Sequence, residues 1–319
     1  MTTATQIPIV ILGGSGGHPT QLPRAGGGYH PLTGYKGVDL RIQGRALISH
    51  LVDRIIGSGA FGPIYVAGPE RVYGSGGDST VVIDTDGGLG DNVRAAVRHT
   101  QAQHPDTAVA FIACDVLPTS AELAQLADQY RNATATPLWF PLVAVAKEDL
   151  GAFAWKPGYK FRVEPSAHIL DEKQTSITVF PGHLVIAEPP QLRMAFFYRL
   201  AAAVYAARNR SIVAKSRILI TRLLPALIWE DLKGIFRGQA PTYAYRMLRT
   251  GIKVTRPMRD GQLTLQEAAD ALSALTVIDP AQNPVQLPTI DLISFAEDID
   301  TTEEAHELGA ATREEEDGS

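Results

Sequence analysis

Short apolar runs alternate with stripes of helical period through the first 130 residues, and few architectures accept that alternation. "IPIVIL" (7–12), "PIYVAG" (63–68), "STVVIDT" (79–85) and "AVAFIACD" (108–115) read as strands. Between them, "ALISHLVDRIIGSG" sets apolar residues at 47, 48, 51, 52, 55 and 56, a helical stripe that stops at Gly57 and Gly59. "LGDNVRAAVRHTQAQ" (89–103) and "TSAELAQLADQY" (119–130) are further helices, the second with Thr119 or Ser120 as cap and Glu122 in its first turn. Strands linked through helices pair in parallel and carry helices on both faces. The expected fold class is therefore α/β, a three-layer αβα sandwich around a mostly parallel mixed sheet.

After residue 137 the pattern changes. "LWFPLVAVA" (138–146), "KFRVEP" (160–165) and "TVFPGHLVIA" (178–187) predict strands with no long helices between them, whereas 192–250 predicts mainly helices. "LTLQEAADALSAL" is a further helix, with a capping box from Thr264 to Glu267. "LISFAEDIDTTEEAHEL" (292–308) reads as a strand, an acidic turn and a short helix. We expect one domain over 1–308, with 192–260 as a basic helical insertion and 309–319 as an acidic disordered tail.

Three features carry chemistry. The segment "ILGGSGGHPTQLPR" (11–24) follows the first strand, where glycine lets backbone N–H groups approach phosphates closely. It lacks both the P-loop pattern and the dinucleotide-binding spacing, so alone it reads equally well as a turn. Asp115 follows a buried strand and Asp298 and Asp300 follow another, positions where acids hold a hard divalent cation. The alternatives are a turn cap at Asp115 and a helix cap within "DTTEE". Lys36 is either a surface lysine or a point charge for phosphate.

Cys114 is the only cysteine, so the chain has no disulfide framework and no cysteine-built zinc site, which fits a cytoplasmic protein. The first residues lack a basic leader, and no run approaches 18 apolar residues. The net charge of −5 is mild but unevenly spread. Residues 190–259 hold fourteen Lys/Arg against Glu230 and Asp231, which leaves seventeen net negative charges on the rest. The favoured reading of this stretch is a helical subdomain packed on the core, because Pro225 and Glu230–Asp231 interrupt any long amphipathic face. The alternative is peripheral contact with an anionic membrane through 192–259. No recognised module accompanies the charge, so no nucleic acid partner is expected.

Taken together, the segments resemble the nucleotidyltransferase superfamily of GT-A, Rossmann-like fold, and within it the molybdenum-cofactor guanylyltransferase-related (MobA-like) NTP transferases. "LGGSGGH" resembles the family's L-A-G-G-x-G-x-R loop, and Lys36, "VDLRI" and "QGRALI" resemble its lysine, strand and G-[KR]-P-[LM] segment. "YVAGPE" resembles "VVVGPE", "GGLGDNVRAAV" resembles "GSLxENxxxAL", "ACDVLP" resembles the D-x-P metal motif, and "DIDTTEEAHEL" resembles "DIDTPEDL". The resemblance covers 7–190 and 261–308. It implies transfer of NMP from an NTP to a small phosphorylated acceptor of sugar, cofactor or alditol type, with release of pyrophosphate. By the same resemblance Leu12, Gly13, Gly14, Ser15, Gly16, Gly17, His18, Arg24, Lys36, Gly68 and Asn92 surround the nucleotide. Asp115, Asp300 and neighbouring Asp298 would hold Mg²⁺ (or Mn²⁺), Lys36 and Asp115 would be catalytic, and Gly182 and His183 would face the acceptor. The chain departs from the pattern at His18, where the family has arginine, and at His183, where it has asparagine. A catalytically weak nucleotide-binding member is therefore the alternative, and a membrane-associated protein using the basic insert is a third reading.

Overall fold

The structure, a computed structural model, describes residues 6–14, 21–23, 29–31, 34–74, 79–145, 159–162, 176–207 and 243–308, together with 221, 223–225, 227–229, 231–233, 235 and 236. Besides the short strand Leu138–Trp139, the strands of its two main sheets are β1 (Ile7–Leu12), β2 (Phe61–Gly68), β3 (Thr80–Asp84), β4 (Val109–Ala113), β5 (Leu142–Ala144), β6 (Tyr159–Arg162), β7 (Ser176–Pro181), β8 (Leu184–Ala187) and β9 (Thr289–Ile290). The longer helices are α1 (Leu47–Ser58), α2 (Leu89–Gln103), α3 (Ser120–Asn132), α4 (Met194–Ala207), α5 (Tyr243–Arg259) and α6 (Leu265–Thr276). Two compact units divide the chain: Met1–Thr134 with His183–Ile186 and Leu292–Ser319, and Ala135–Gly182 with Ala187–Asp291.

In the first unit the strand order is β3-β2-β1-β4-β8. β1 runs parallel to β2 and to β4, and β2 runs parallel to β3. Ile9, Val10 and Ile11 are all fully buried, and successive strand side chains point to opposite faces, so both faces of β1 are covered. α2 packs on β1, β2 and β3, while α1 packs on β2 and α3. The helices end where local signals stop them. α1 closes on Gly59, whose φ of 63° is the left-handed C-cap conformation. α3 opens with the Thr119–Glu122 capping box. The fold class is the α/β sandwich with a mixed sheet anticipated from the alternation.

The second unit holds an antiparallel trio, β6-β7-β5, extended by a parallel β9. Leu142, Phe161, Val179 and Leu263 form its core, with Val254 and Met258 of α5 packed on them. A separate cluster gathers Phe196, Ala203, Leu223, Leu227 and Met247. Residues 192–260 lie wholly in this unit.

Three local expectations are corrected. "VDLRI" is not a continuous strand: Lys36–Asp39 is a single helical turn and only Arg41–Ile42 is extended. The Asp39 carboxylate accepts the Tyr35 amide at 2.6 Å and closes that turn. "LISF" is a 3₁₀ turn over Ile293–Phe295 rather than a strand. Leu292, Ile293, Phe295 and Ala296 recur at helical spacing, which outweighs their β propensity. Finally, "LWFPLVAVA" and "TVFPGHLVIA" each break into two strands, at Phe140–Pro141 and at Gly182–His183. Gly182 donates its N–H to the Pro141 carbonyl at 3.0 Å, and a side chain there would approach that oxygen to 2.8 Å.

Candidate functional site

The chain runs outward from β1 to β2 and β3, then returns across β1 to β4 on its other side. The sheet therefore reverses direction between β1 and β4, and ligands of open α/β sheets sit beyond the carboxyl ends of the strands at such a point. Gly13 and Gly14 follow β1 there, and Asp115 lies two residues past β4.

Asp115 is joined by the chain's last described segment. Ile299 donates its N–H to the Asp115 carbonyl at 2.7 Å, and Val116 and Asp298 form an antiparallel bridge. Strand alternation does the rest: Ile299 enters a core cluster with Leu40, Ile42, Leu47 and Ala305. Its neighbours Asp298 and Asp300 project elsewhere, and a carboxylate oxygen from each of Asp115, Asp298 and Asp300 falls within 4.8 Å of the others. The Lys36 ammonium donates to Asp115 at 2.7 Å and also to Asp300. The Asp300 side chain is 3% exposed and those of Lys36 and Asp115 about one-sixth exposed. With all four groups ionised the cluster carries two net negative charges.

The electrostatics follow from burial and proximity. Burial pulls the Lys36 ammonium down, but the Asp115 and Asp300 carboxylates outweigh it and hold the lysine well above its ordinary value. Burial pushes Asp300 up to about 6, the Asp298 carboxylate adds to this, and Lys36 opposes it. Three clustered carboxylates, one of them buried and two of them bonded to one ammonium, are a donor set of the hard-oxygen kind that Mg²⁺ and Mn²⁺ take.

Neither acid serves as a cap. The Thr301 hydroxyl accepts the Glu304 amide at 3.1 Å, and the Glu304 carboxylate accepts the amides of Asp300 (2.7 Å) and Thr301 (3.1 Å). That capping box starts the helix over 302–308 and leaves the Asp300 carboxylate to Lys36. Asp115 likewise pairs with Lys36, and the helix downstream is capped by Thr119.

The glycine segment is described only at its start. Gly13 donates its N–H to the Ala67 carbonyl at 2.9 Å, continuing the pairing of Leu12 with Ala67. Side chains are excluded by what lies beneath. A Cβ on Gly13 would lie 2.8 Å from the Tyr73 ring, one on Gly68 would lie 2.5 Å from it, and one on Gly14 would lie 2.2 Å from Asn92 Nδ2. Asn92 is buried, and its Oδ1 accepts the Thr85 hydroxyl (3.0 Å) and the Gly87 amide (3.2 Å), which fixes the loop before α2. Leu12, Gly13, Gly14, Gly68 and Asn92 thus surround the mouth between β1 and β2. Ser15, Gly16, Gly17, His18 and Arg24 lie outside the described residues. Gly182 and His183 stand between β7 and β8. The His183 backbone donates to the Phe295 carbonyl at 2.8 Å and accepts from the Ala113 amide at 3.0 Å.

Two features escaped sequence reasoning. Tyr73 fills the space under Gly13, Gly37 and Gly68, and its buried hydroxyl has no hydrogen-bond partner among the described residues. Tyr35 hydrogen-bonds Asp86 (2.8 Å), and Arg71 donates to Asp86 (2.6 Å) and to the Tyr35 hydroxyl (2.8 Å), tying the turn that bears Lys36 to the loop after β3. The only local clue to either was the richness in tyrosine and arginine around "GYKG" and "ERVYG".

No family model matches the sequence, and no curated protein matches it. Among solved structures, a hypothetical transferase from Thermus thermophilus is 14% identical and aligns over 94% of this chain and 100% of its own, with a TM-score of 0.53. CMP:2-keto-3-deoxy-manno-octonic acid synthetase complexed with CTP is also 14% identical, over 98% and 100% of the two chains, at a TM-score of 0.48. The likeness to the first is one of fold.

Proposed function

We propose that the protein is a nucleotidyltransferase that moves NMP from an NTP to a small phosphorylated acceptor and releases pyrophosphate. The observation that carries this reading is the convergence of Lys36, Asp115, Asp298 and Asp300 beside the glycine turn at the point where the sheet reverses. The motif resemblance to MobA-like NTP transferases supports the same reading.

In this reaction an acceptor oxygen forms a bond to the α-phosphorus. The bond from that phosphorus to the bridging oxygen breaks, and pyrophosphate leaves with the electron pair. The protein's task is positioning and charge, because this chemistry needs no covalent intermediate. By the motif resemblance, backbone N–H groups of the glycine segment would donate to phosphate oxygens, and Lys36 would supply a point charge. Asp115 and Asp300, with Asp298 beside them, would hold Mg²⁺ or Mn²⁺. When bound, that ion offsets the negative charge of the phosphates. Tyr73 and Asn92 keep the turn in place from below.

The test is pyrophosphate release across the four NTPs in Mg²⁺, with and without a panel of sugar, cofactor and alditol phosphates. Asp115→Asn should lower turnover by roughly 100-fold or more, the scale of losing one electrostatic contact to the reacting group. An absence of calorimetric NTP binding in the presence of Mg²⁺ would overturn the proposal. A second reading rests on His18, which stands where arginine is the pattern and cannot offer its bidentate fork. On that reading the NTP binds and pyrophosphate is not released with any acceptor.

A further inference from the structure

Twelve large apolar side chains are strongly exposed among the described residues, and eight of them lie between 228 and 252. They are ordered. The described residues from 221 to 235 are helical, and Leu223, Leu227 and Asp231, four apart, point inward. Leu223 and Leu227 join Phe196, Ala203 and Met247 in one core cluster. Ile228, Trp229, Leu232, Ile235 and Phe236 recur at the spacing of a single helical stripe on the outward side, with Phe236 90% exposed. α5 repeats the arrangement: Met247 is buried, while Tyr245, Leu248 and Ile252 face out, Ile252 at 80% exposure.

Cations are set among these residues. The Lys233 ammonium lies 5.8 Å from the Trp229 ring centroid, one turn further along the same helix. On α5 the outward residues Arg249, Lys253, Arg256 and Arg259 follow the apolar ones. Asp231 is turned inward, where its carboxylate accepts the Ala244 amide at 2.8 Å, and of the α5 cations Arg256 and Arg259 pair with Asp260 while Arg249 and Lys253 stand before them. Asp231 therefore does not interrupt the apolar stripe as its place in the sequence suggested, Pro225 precedes the stripe on the same helical face, and Glu230 lies outside the described residues.

We infer that the outward faces of the described residues between 228 and 236 and of α5 dock on an anionic phospholipid surface. Aliphatic side chains suit the acyl boundary, Trp229, Phe236 and Tyr245 suit the headgroup layer, and interleaved Lys and Arg suit anionic headgroups. Other occupants fit less well. Nucleic acid offers phosphates to the cations but nothing to Ile228, Leu232, Ile235 and Ile252. A second copy paired on the same face about a two-fold axis would cover the aliphatics but set the cations of the two copies against one another. The inference is independent of nucleotidyl transfer.

The experiment is co-sedimentation of the full chain with phosphatidylcholine vesicles, and with vesicles in which roughly a third of the lipid is phosphatidylglycerol, at low and high salt. Binding to the anionic vesicles that weakens with salt is expected. The triple variant Trp229→Glu, Phe236→Glu, Ile252→Glu should bind them at least about tenfold less, with circular dichroism and vesicle-free turnover unchanged. All three side chains are exposed, so the variant retains the packing of the core. Three results overturn the inference: no sedimentation with either vesicle, a triple variant that binds as well as the parent, or an equal response to both lipids. Self-association or oligonucleotide binding lost in the triple variant, without vesicle binding, also overturns it and names the other occupant.

Discussion

Lys36 shares its ammonium between Asp115 and Asp300, and this sets how the proposed metal site would meet an ion. Two unit charges 4 Å apart interact by about 4 kcal/mol at an effective dielectric of 20, so removing this cation frees both carboxylates. Lys36→Met should therefore bind Mn²⁺ alone about tenfold or more tightly than the parent by calorimetry, while turnover falls. Acid gives the opposite effect. Asp300 is raised from 3.8 to about 6, chiefly by burial, so its protonated form suits the folded state and its contribution to stability is present below 3.8 and lost as pH rises through about 6. Metal needs the ionised form, so Mn²⁺ affinity in the parent should fall by roughly tenfold per pH unit below about 6. Asp115 was legible in the sequence because it follows a buried strand, and Lys36, Asp298 and Asp300, which adjoin a helical turn and a 3₁₀ turn, were legible through the motif resemblance. Tyr73 was not, because its place depends on the mutual approach of Gly13, Gly37 and Gly68, which lie in separate segments.

At the scale of elements, what could be read was what local chemistry decides. α1, α2, α3 and α6 begin and end within a residue or two of their sequence signals, since glycine stops and capping boxes act within one turn. "VDLRI" and "LISF" could not be read as they fold, because a side-chain bond from Asp39 and the burial of Phe295 decide them. The final helix illustrates how a cap can serve a site. Thr301→Ala should cost about 1 kcal/mol in urea unfolding, the usual scale for a lost cap. It should also weaken Mn²⁺ binding, because the Glu304 amide loses its acceptor and the box that holds the Asp300 backbone is loosened. Thr301→Ser should restore both.

For the molecule as a whole, Cys114 is a built-in reporter. It is buried at the end of β4, and burial, reinforced by the Asp115 carboxylate, pushes its thiol up to about 12. A thiol reagent at pH 8 should leave the native protein unlabelled over hours and modify one cysteine at once in denaturant. Native labelling as fast as in denaturant would show that the sheet around β4 opens locally. Charge is also divided at this scale, with the cations concentrated in 190–259 and the acids elsewhere. Composition revealed that division, but which basic residues share a face with exposed apolar ones became visible only with Asp231 turned inward.

The bond between Lys36 and Asp300 spans 264 positions of sequence. During synthesis the glycine turn, Lys36 and Asp115 all leave the ribosome long before Asp298, Asp300 and the Thr301–Glu304 box that frees the Asp300 side chain. A nascent chain therefore has Asp115 available to its lysine before Asp298 and Asp300, and holds all three acids only when the segment that ends in Glu304 has emerged. A translation product truncated before Asp298 would lack two of the three carboxylates, and with them the proposed metal site.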